Sequence, residues 1–420
     1  MRRLLALLIL VLAVAGALGG VSAAGDPTFS RDVAPILQRH CQECHRADGG
    51  GPFHLITYDQ VYRRREKIRE TTRARTMPPW KAVAGYGDFV GVRGLSSGEI
   101  ATIARWVETG AAEGDPADLP PQPIFEAAAG RGTPDLVLRS EAFTVPAGGG
   151  DVYRCFSVPT TFAEDRYFTV TEAVPGNRRI VHHVLAMVDT AGGSAHIKPT
   201  DWSAGYPCFG GPRVRIDGYL GAWAPGARPW VMPEGVGILL PAGARVVIQM
   251  HYHNAGPTAA SDRTEIRLHA ARTSIVKQLR FARVGSFSFT IPAGAPRHEI
   301  EASMSVHRPM SLIAIHPHMH LLGREMKVWA KLPDESTRPL VHIDDWDFNW
   351  QGFYFYKMPM ALPLGTWIEL TAAWDNSEGN PRNPNRPPQP VRWGERTVDE
   401  MGHAAIIYTY DDEKIDYRPR

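Results

Sequence analysis

Beyond residue 18 the chain has no apolar run long enough to cross a bilayer, which excludes a bundle of membrane-spanning helices. It also has no excess of one charge. With 46 Lys and Arg against 44 Asp and Glu, and no run of like charge, no basic face offers itself to nucleic acid. Cysteine is scarce, at four residues in 420. Helical texture is sparse outside the first hundred residues, because 35 Pro and 40 Gly break the chain into turns.

The amino-terminal residues are the exception to the missing apolar runs. Met1-Arg2-Arg3, an apolar stretch over residues 4–18, and the small residues Val21-Ser22-Ala23-Ala24 read as a secretory signal over 1–24, with a retained membrane anchor as the alternative. The mature chain is expected to be periplasmic or secreted, with no stable span after cleavage. Its length of about 395 residues predicts two or three domains.

Two of the four cysteines fall in Cys41-Gln42-Glu43-Cys44-His45. Two thiols at this spacing can add to the vinyl groups of a haem, and the adjacent His45 can ligate its iron. A zinc half-site would need a second ligand pair nearby, and a thioredoxin-like redox pair would need a βαβ context. Neither is evident. Downstream, Arg75-Thr76-Met77-Pro78-Pro79-Trp80 places Met77 on a Pro-fixed loop as the candidate sixth ligand, with His54 and His40 as substitutes. Residues 27–118 are similar to class I-like cytochrome c domains, which implies one covalent haem c and a small all-α domain. The other two cysteines, Cys155 and Cys208, can form a single bridge in an oxidising compartment; two free buried thiols are the alternative.

After a Pro-, Ala- and Gly-rich linker over 119–133, short alternating strands dominate. Tyr167-Phe168-Thr169-Val170-Thr171 and Ser311-Leu312-Ile313-Ala314-Ile315 are examples. The remaining length suits two antiparallel β-sandwich units, over 134–285 and 286–420.

The 16 histidines cluster. His182-His183, His251-Tyr252-His253 and His316-Pro317-His318-Met319-His320 each lie beside a β-like run. Alternate residues of a strand share a face, so His251 and His253 can point together, as can His318 and His320. Adjacent His182 and His183 can share a metal only if the backbone is irregular there. Imidazole suits copper, zinc, iron and nickel; a thioether such as that of Met401 would favour Cu(I).

Over residues 134–410 the chain resembles the copper type II, ascorbate-dependent monooxygenases, which include dopamine β-monooxygenase and peptidylglycine α-hydroxylating monooxygenase. The resemblance rests on ordered stretches: Tyr153-Arg154-Cys155, Val181-His182-His183-Val184-Leu185, Gly221-Ala222-Trp223-Ala224-Pro225, Gln249-Met250-His251-Tyr252-His253-Asn254, His318-Met319-His320-Leu321-Leu322-Gly323-Arg324 and Asp399-Glu400-Met401. It implies two jelly-roll-like subdomains carrying two mononuclear coppers. His182, His183 and His251 would hold the electron-transfer copper; His318, His320 and Met401 would hold the one that binds O₂. It also implies a Cys155–Cys208 disulfide, with Gln249, His253 or His316 supporting the ligands. Gly402 stands where those enzymes have Cys, His316 where the peptide-amidating enzyme has a carboxylate-reading Arg, and Ala405 where it has a substrate-side Tyr, so peptide amidation is not expected. Trp346, Phe348 and Trp350 alternate as a candidate substrate wall or core face.

The expectation is an exported haem–copper monooxygenase acting on an organic substrate with O₂, its electrons supplied by an external donor and passed from haem to copper. A non-catalytic haem–copper electron carrier is the alternative.

Overall fold

The computed structural model describes residues 25–47, 49, 51–125, 132–199, 203–225 and 227–419. The signal-peptide reading lies outside these residues. Among them, no helix is long and apolar enough to cross a membrane.

Among the described residues, four short α-helices fall near the amino terminus: α1 (Ala34–His40), α2 (Tyr58–Tyr62), α3 (Arg65–Arg73) and α4 (Ser97–Glu108). Local chemistry sets their starts. Thr57 with Gln60 caps α2 and Ser96 with Glu99 caps α4, each side chain satisfying an amide that the first turn leaves open. Leu37, Val61, Ile103 and Trp106 bury the apolar faces together.

This segment corrects the expected fold class. Among the described residues no distinct all-α cytochrome c domain precedes two antiparallel sandwiches; the molecule is mostly β-sheet, and the early helical segment is joined to it. The stretch between α3 and α4 forms no helix, because Pro78 and Pro79 cannot continue α3 and Gly85, Gly87 and Gly91 adopt positive φ. It adds backbone to the β region instead. Ala82 bridges Ile343 and Phe89 bridges Tyr356. The Val83 amide donates to the His342 carbonyl and the Val90 amide to the Phe355 carbonyl, each at 2.8 Å. Phe89 packs against Tyr354 and Tyr356 at 5.3 and 5.1 Å, and Trp80 meets Tyr354 edge-on at 5.2 Å. Ion pairs Lys81–Asp345 and Lys357–Asp88, both 2.7 Å, and Glu43–Arg228 border the seam.

In the first β-rich half, a five-stranded sheet runs in the order Tyr206–Pro207, Asp151–Pro159, Arg245–His253, Val181–Asp189, Gly218–Trp223. It shares a core with a six-stranded sheet that includes Arg166–Val174, Glu265–Ala270 and Val236–Leu240. One pair is parallel, Lys277–Gln278 beside Val236–Leu240. In the second half, Arg280–Ser286, Gly402–Tyr410, Met310–Met319 and Tyr354–Leu362 form one sheet, facing His298–Ser305, Trp367–Trp374, Gly323–Lys331 and Thr337–Ile343. The Met310–Met319 strand is buried on both faces. Leu312 and Ile315 enter the core of the second half, while Ile313 and Ala314 enter that of the first. Its near-continuous apolar run follows from that double burial.

Cys155 and Cys208 form a disulfide between the Asp151–Pro159 strand and the loop after Tyr206–Pro207. Because the early segment is welded to the second half, Phe89→Ala should cost about 3 kcal/mol, the usual range for emptying a buried aromatic site. Denaturant unfolding followed through the whole chain checks this. A change below about 1 kcal/mol would mean that the seam contributes little.

Candidate metal centres

His182, His183 and His251 come together, with one ligand atom from each lying within 4.8 Å of the others. The backbone irregularity that adjacent His182 and His183 require is present. His251 pairs with His183 and Tyr252 with Val181, so His182 is the extra residue of a β-bulge. The bulge brings neighbouring imidazoles to one place, with ring centres 4.6 Å (His182) and 5.0 Å (His183) from His251.

Burial decides the protonation of His182 and His183. His182 is pushed down to about 4 by burial and by His251, and His183 is held well below its ordinary value by the same causes. Neutral imidazoles keep a lone pair for a metal. The Nδ1 atoms of His182 and His251 are buried without a hydrogen-bond partner, a vacancy in polar pairing that a bound cation would fill. His251 donates from Nε2 to Asp151 at 3.1 Å and stacks on Tyr153 at 4.2 Å. Asp151 also accepts from His253 at 3.2 Å and from Thr397 at 2.7 Å. The hydrogen bond from His251 depresses the Asp151 carboxyl well below the usual range.

The second set is looser. His318 and His320 lie 5.1 Å apart by ring centres on one face of their strand and the turn that follows it. His318 donates from Nδ1 to Gln351 at 2.5 Å, and His320 donates from Nδ1 to the Asp399 carbonyl at 3.0 Å. Each bond leaves Nε2 for other chemistry. Burial holds His318 well below its ordinary value and His320 at about 4. Met401, half-buried, follows Glu400, whose carboxylate accepts the amides of His320 (2.9 Å) and Leu322 (2.6 Å) and the Trp374 indole (2.8 Å). Burial pushes Glu400 up to about 8 against these donors. The segment carrying Met401 is therefore tied to the His320 backbone.

Other expected residues take different places. Gln249 points at the disulfide, its amide 3.5 Å from the Cys208 carbonyl. His316 stacks on Phe353 at 4.1 Å and donates to the Gly352 carbonyl. Ala405 lies opposite His316 in the sheet. Trp346, Phe348 and Trp350 are not on a strand. Trp346 is buried and donates to the His320 carbonyl at 2.9 Å, whereas Phe348 stands between the two imidazole sets.

In the Cys41–His45 motif both thiols are free. Burial pushes Cys41 up to about 12, which leaves little nucleophilic thiolate for a redox pair. His45 donates from Nδ1 to the Phe53 carbonyl at 3.0 Å, leaving Nε2 unspent. A Cβ at Gly51 would fall 2.7 Å from that Nδ1, so the loop closes tightly over the ring. His40 is bonded to Glu99 at 3.1 Å and His54 is exposed. Met77 is half-buried, its amide bonded to the Thr71 carbonyl at 3.2 Å.

Sequence reasoning missed His403. It sits across the sheet from His318, 5.0 Å between ring centres, buried and pushed down to about 3, with Nδ1 unpartnered. Strand alternation from Met401 would have placed it on the same face. It also missed Asp151, whose link to His251 spans a hundred residues and leaves no local signal. A cavity of about 680 Å³ lined by Asp151, Tyr153, Phe209, Arg396 and Thr397 opens beside the first set, with walls from both halves.

No family model matches the chain. The mouse protein called DBH-like monooxygenase protein 1 is 24% identical over 238 residues, covering 51% of this chain and 39% of its own length. The human protein of that name is 24% identical over 232 residues, covering 50% and 37%. The chain thus spans about two-fifths of these curated relatives. Among solved structures, PBCV-1 VP54 fitted into a cryo-EM reconstruction of the virophage Sputnik matches at 7% identity, 68% and 96% coverage and a TM-score of 0.27. The infectious bursal disease virus VP2 particle follows at 10%, 66% and 73%, and 0.21. At such scores they carry no argument.

If Asp151 fixes the His251 ring, Asp151→Ala should weaken copper at the first set by roughly ten- to a hundredfold, with Asp151→Asn closer to the parent. Competition titration against a chromophoric Cu(I) chelator reads this, and equal affinity in all three proteins would refute it.

Proposed function

We propose that this chain is an exported copper-dependent monooxygenase that inserts one atom of O₂ into a C–H bond of an organic substrate. Its electrons come from an external donor by way of a covalent haem. The observation that carries the reading is the bulge at His182, which brings two adjacent imidazoles and His251 into one trio, with Nδ1 of His182 and of His251 buried and unpartnered. The distant similarity to proteins called monooxygenases and the second histidine set support it.

In this reading His182, His183 and His251 hold one copper, and His318, His320 and Met401 the other. Cys41 and Cys44 would carry the haem, and His45 and Met77 would hold its iron. Bound there, copper and haem supply one-electron transfer and the activation of O₂. The protein's part is orientation and exclusion of water. Asp151 fixes the His251 tautomer, Gln351 that of His318, and the Asp399 carbonyl that of His320. Burial keeps His182, His183, His318 and His320 unprotonated at neutral pH, so no proton has to leave them before a metal enters. His403, beside His318, and Phe287, 44% exposed and stacked on His403 at 5.8 Å, form the approach an organic molecule would use.

Two measurements test the scheme. Copper-loaded protein under ¹⁸O₂ with a panel of alkyl- and aryl-bearing small molecules should place label in a product, and His318→Ala should abolish it. Oxygen uptake without label in any organic compound would contradict a monooxygenase. Ascorbate-reduced haem should oxidise in air at least about tenfold faster with copper bound than without, through about 1.4 kcal/mol of barrier. Equal rates would remove haem from the route.

A further inference from the structure

One short arch touches both imidazole sets. Residues 347–352 leave Trp346, itself bonded to the His320 carbonyl, and lead into the Tyr354–Leu362 strand. The Phe348 ring stacks on His182 at 5.1 Å and 24°, and meets His320 edge-on at 5.7 Å and 80°. A single aromatic ring therefore spans the space between a histidine of the first set and one of the second. Three residues on, Gln351 accepts from His318 Nδ1 at 2.5 Å, and its own amide donates to the Phe348 carbonyl at 2.8 Å. Gly352 accepts from His316. The turn is held internally by Asp347, which takes the Asn349 amide at 3.0 Å through its side chain and the Trp350 amide at 2.9 Å through its carbonyl.

We propose that this arch is a common cover for the two imidazole sets. Phe348 closes the space between them to water, and Gln351 is a positioning residue for His318. The inference rests on the copper reading above and goes beyond its ligand sets. Its physical content is specific. An aromatic ring has no strong hydrogen-bonding group, so water in the gap between His182 and His320 is displaced without polar replacement, and the local dielectric falls. Gln351 links the ring's backbone to the His318 tautomer, so movement of the cover is felt at the second set. The Tyr354–Leu362 strand that anchors the arch is also the strand on which Trp80 and Phe89 dock, so the early segment braces it.

The test uses the full chain loaded with copper alone. Water-proton relaxivity per bound Cu(II) reports how closely solvent approaches the metals. Phe348→Ala should raise it at least twofold, while Phe348→Leu, which keeps an apolar plug, should stay near the parent. Unchanged relaxivity in Phe348→Ala with two coppers bound overturns the cover while leaving the copper reading intact. A parent chain that binds fewer than two coppers overturns both. For Gln351, the weaker copper phase should identify the second set: Gln351→Ala should weaken that phase by roughly ten- to a hundredfold and spare the other, and Gln351→Glu, which keeps an acceptor, should restore it. Parent-like binding in Gln351→Ala, or equal loss in both variants, would overturn the positioning role.

Discussion

Desolvation of imidazole is the constraint on which the rest of the structure depends. Taking His182, His183, His316, His318, His320 and His403 out of water disfavours their charged forms and drives each below its ordinary value. A neutral buried imidazole still has two polar nitrogens to satisfy, and the fold supplies partners unevenly. His316, His318 and His320 spend Nδ1 on Gly352, Gln351 and Asp399, whereas Nδ1 of His182, His251 and His403 has no partner. His182 and His251, two of the residues with an unpaired nitrogen, belong to the trio whose ligand atoms come together.

The surrounding architecture serves that convergence. Strand pairing sets the first trio by a bulge, and two segments of the second half tie themselves to it. Thr397 reaches Asp151 across the two halves, four residues before Met401, and Phe348 reaches His182. The Met310–Met319 strand, buried on both sides, ties the halves together because Leu312 and Ile315 belong to one core and Ile313 and Ala314 to the other. The early helical segment is part of the same body. Its Trp80 and Phe89 pack against Tyr354, just after the arch that carries Phe348 and Gln351. The Cys41–His45 segment and the histidine sets thus share a mechanical frame.

Local spacing made much of this legible. The pairs His251/His253 and His318/His320 follow from period two, and the remaining cysteine pair is joined as one bridge. Spacing misled in particular places. Helical punctuation around Asp32-Val33-Ala34-Pro35 and at α4 is real, but the segment between α3 and α4 spends its Pro and Gly on docking, so no separate all-α domain results. Such docking is set by Tyr354, Tyr356 and Ile343, more than 250 residues away, and no local pattern records it. Trp346, Phe348 and Trp350 looked like one strand face because their spacing is two; none lies on a strand, and Trp346 is buried under His320 while Phe348 meets both histidine sets. Gln249 looked available to a ligand, yet its strand register places it opposite Cys155.

The central claim is that this chain builds two metal sites from separate histidine sets, alongside one haem. Elemental analysis of copper, with haem quantified by absorbance, in protein matured with haem and loaded with copper addresses it most directly. The account predicts two coppers and one haem per chain. One copper would contradict the second site, none would contradict both, and a chain without haem would remove the proposed electron entry.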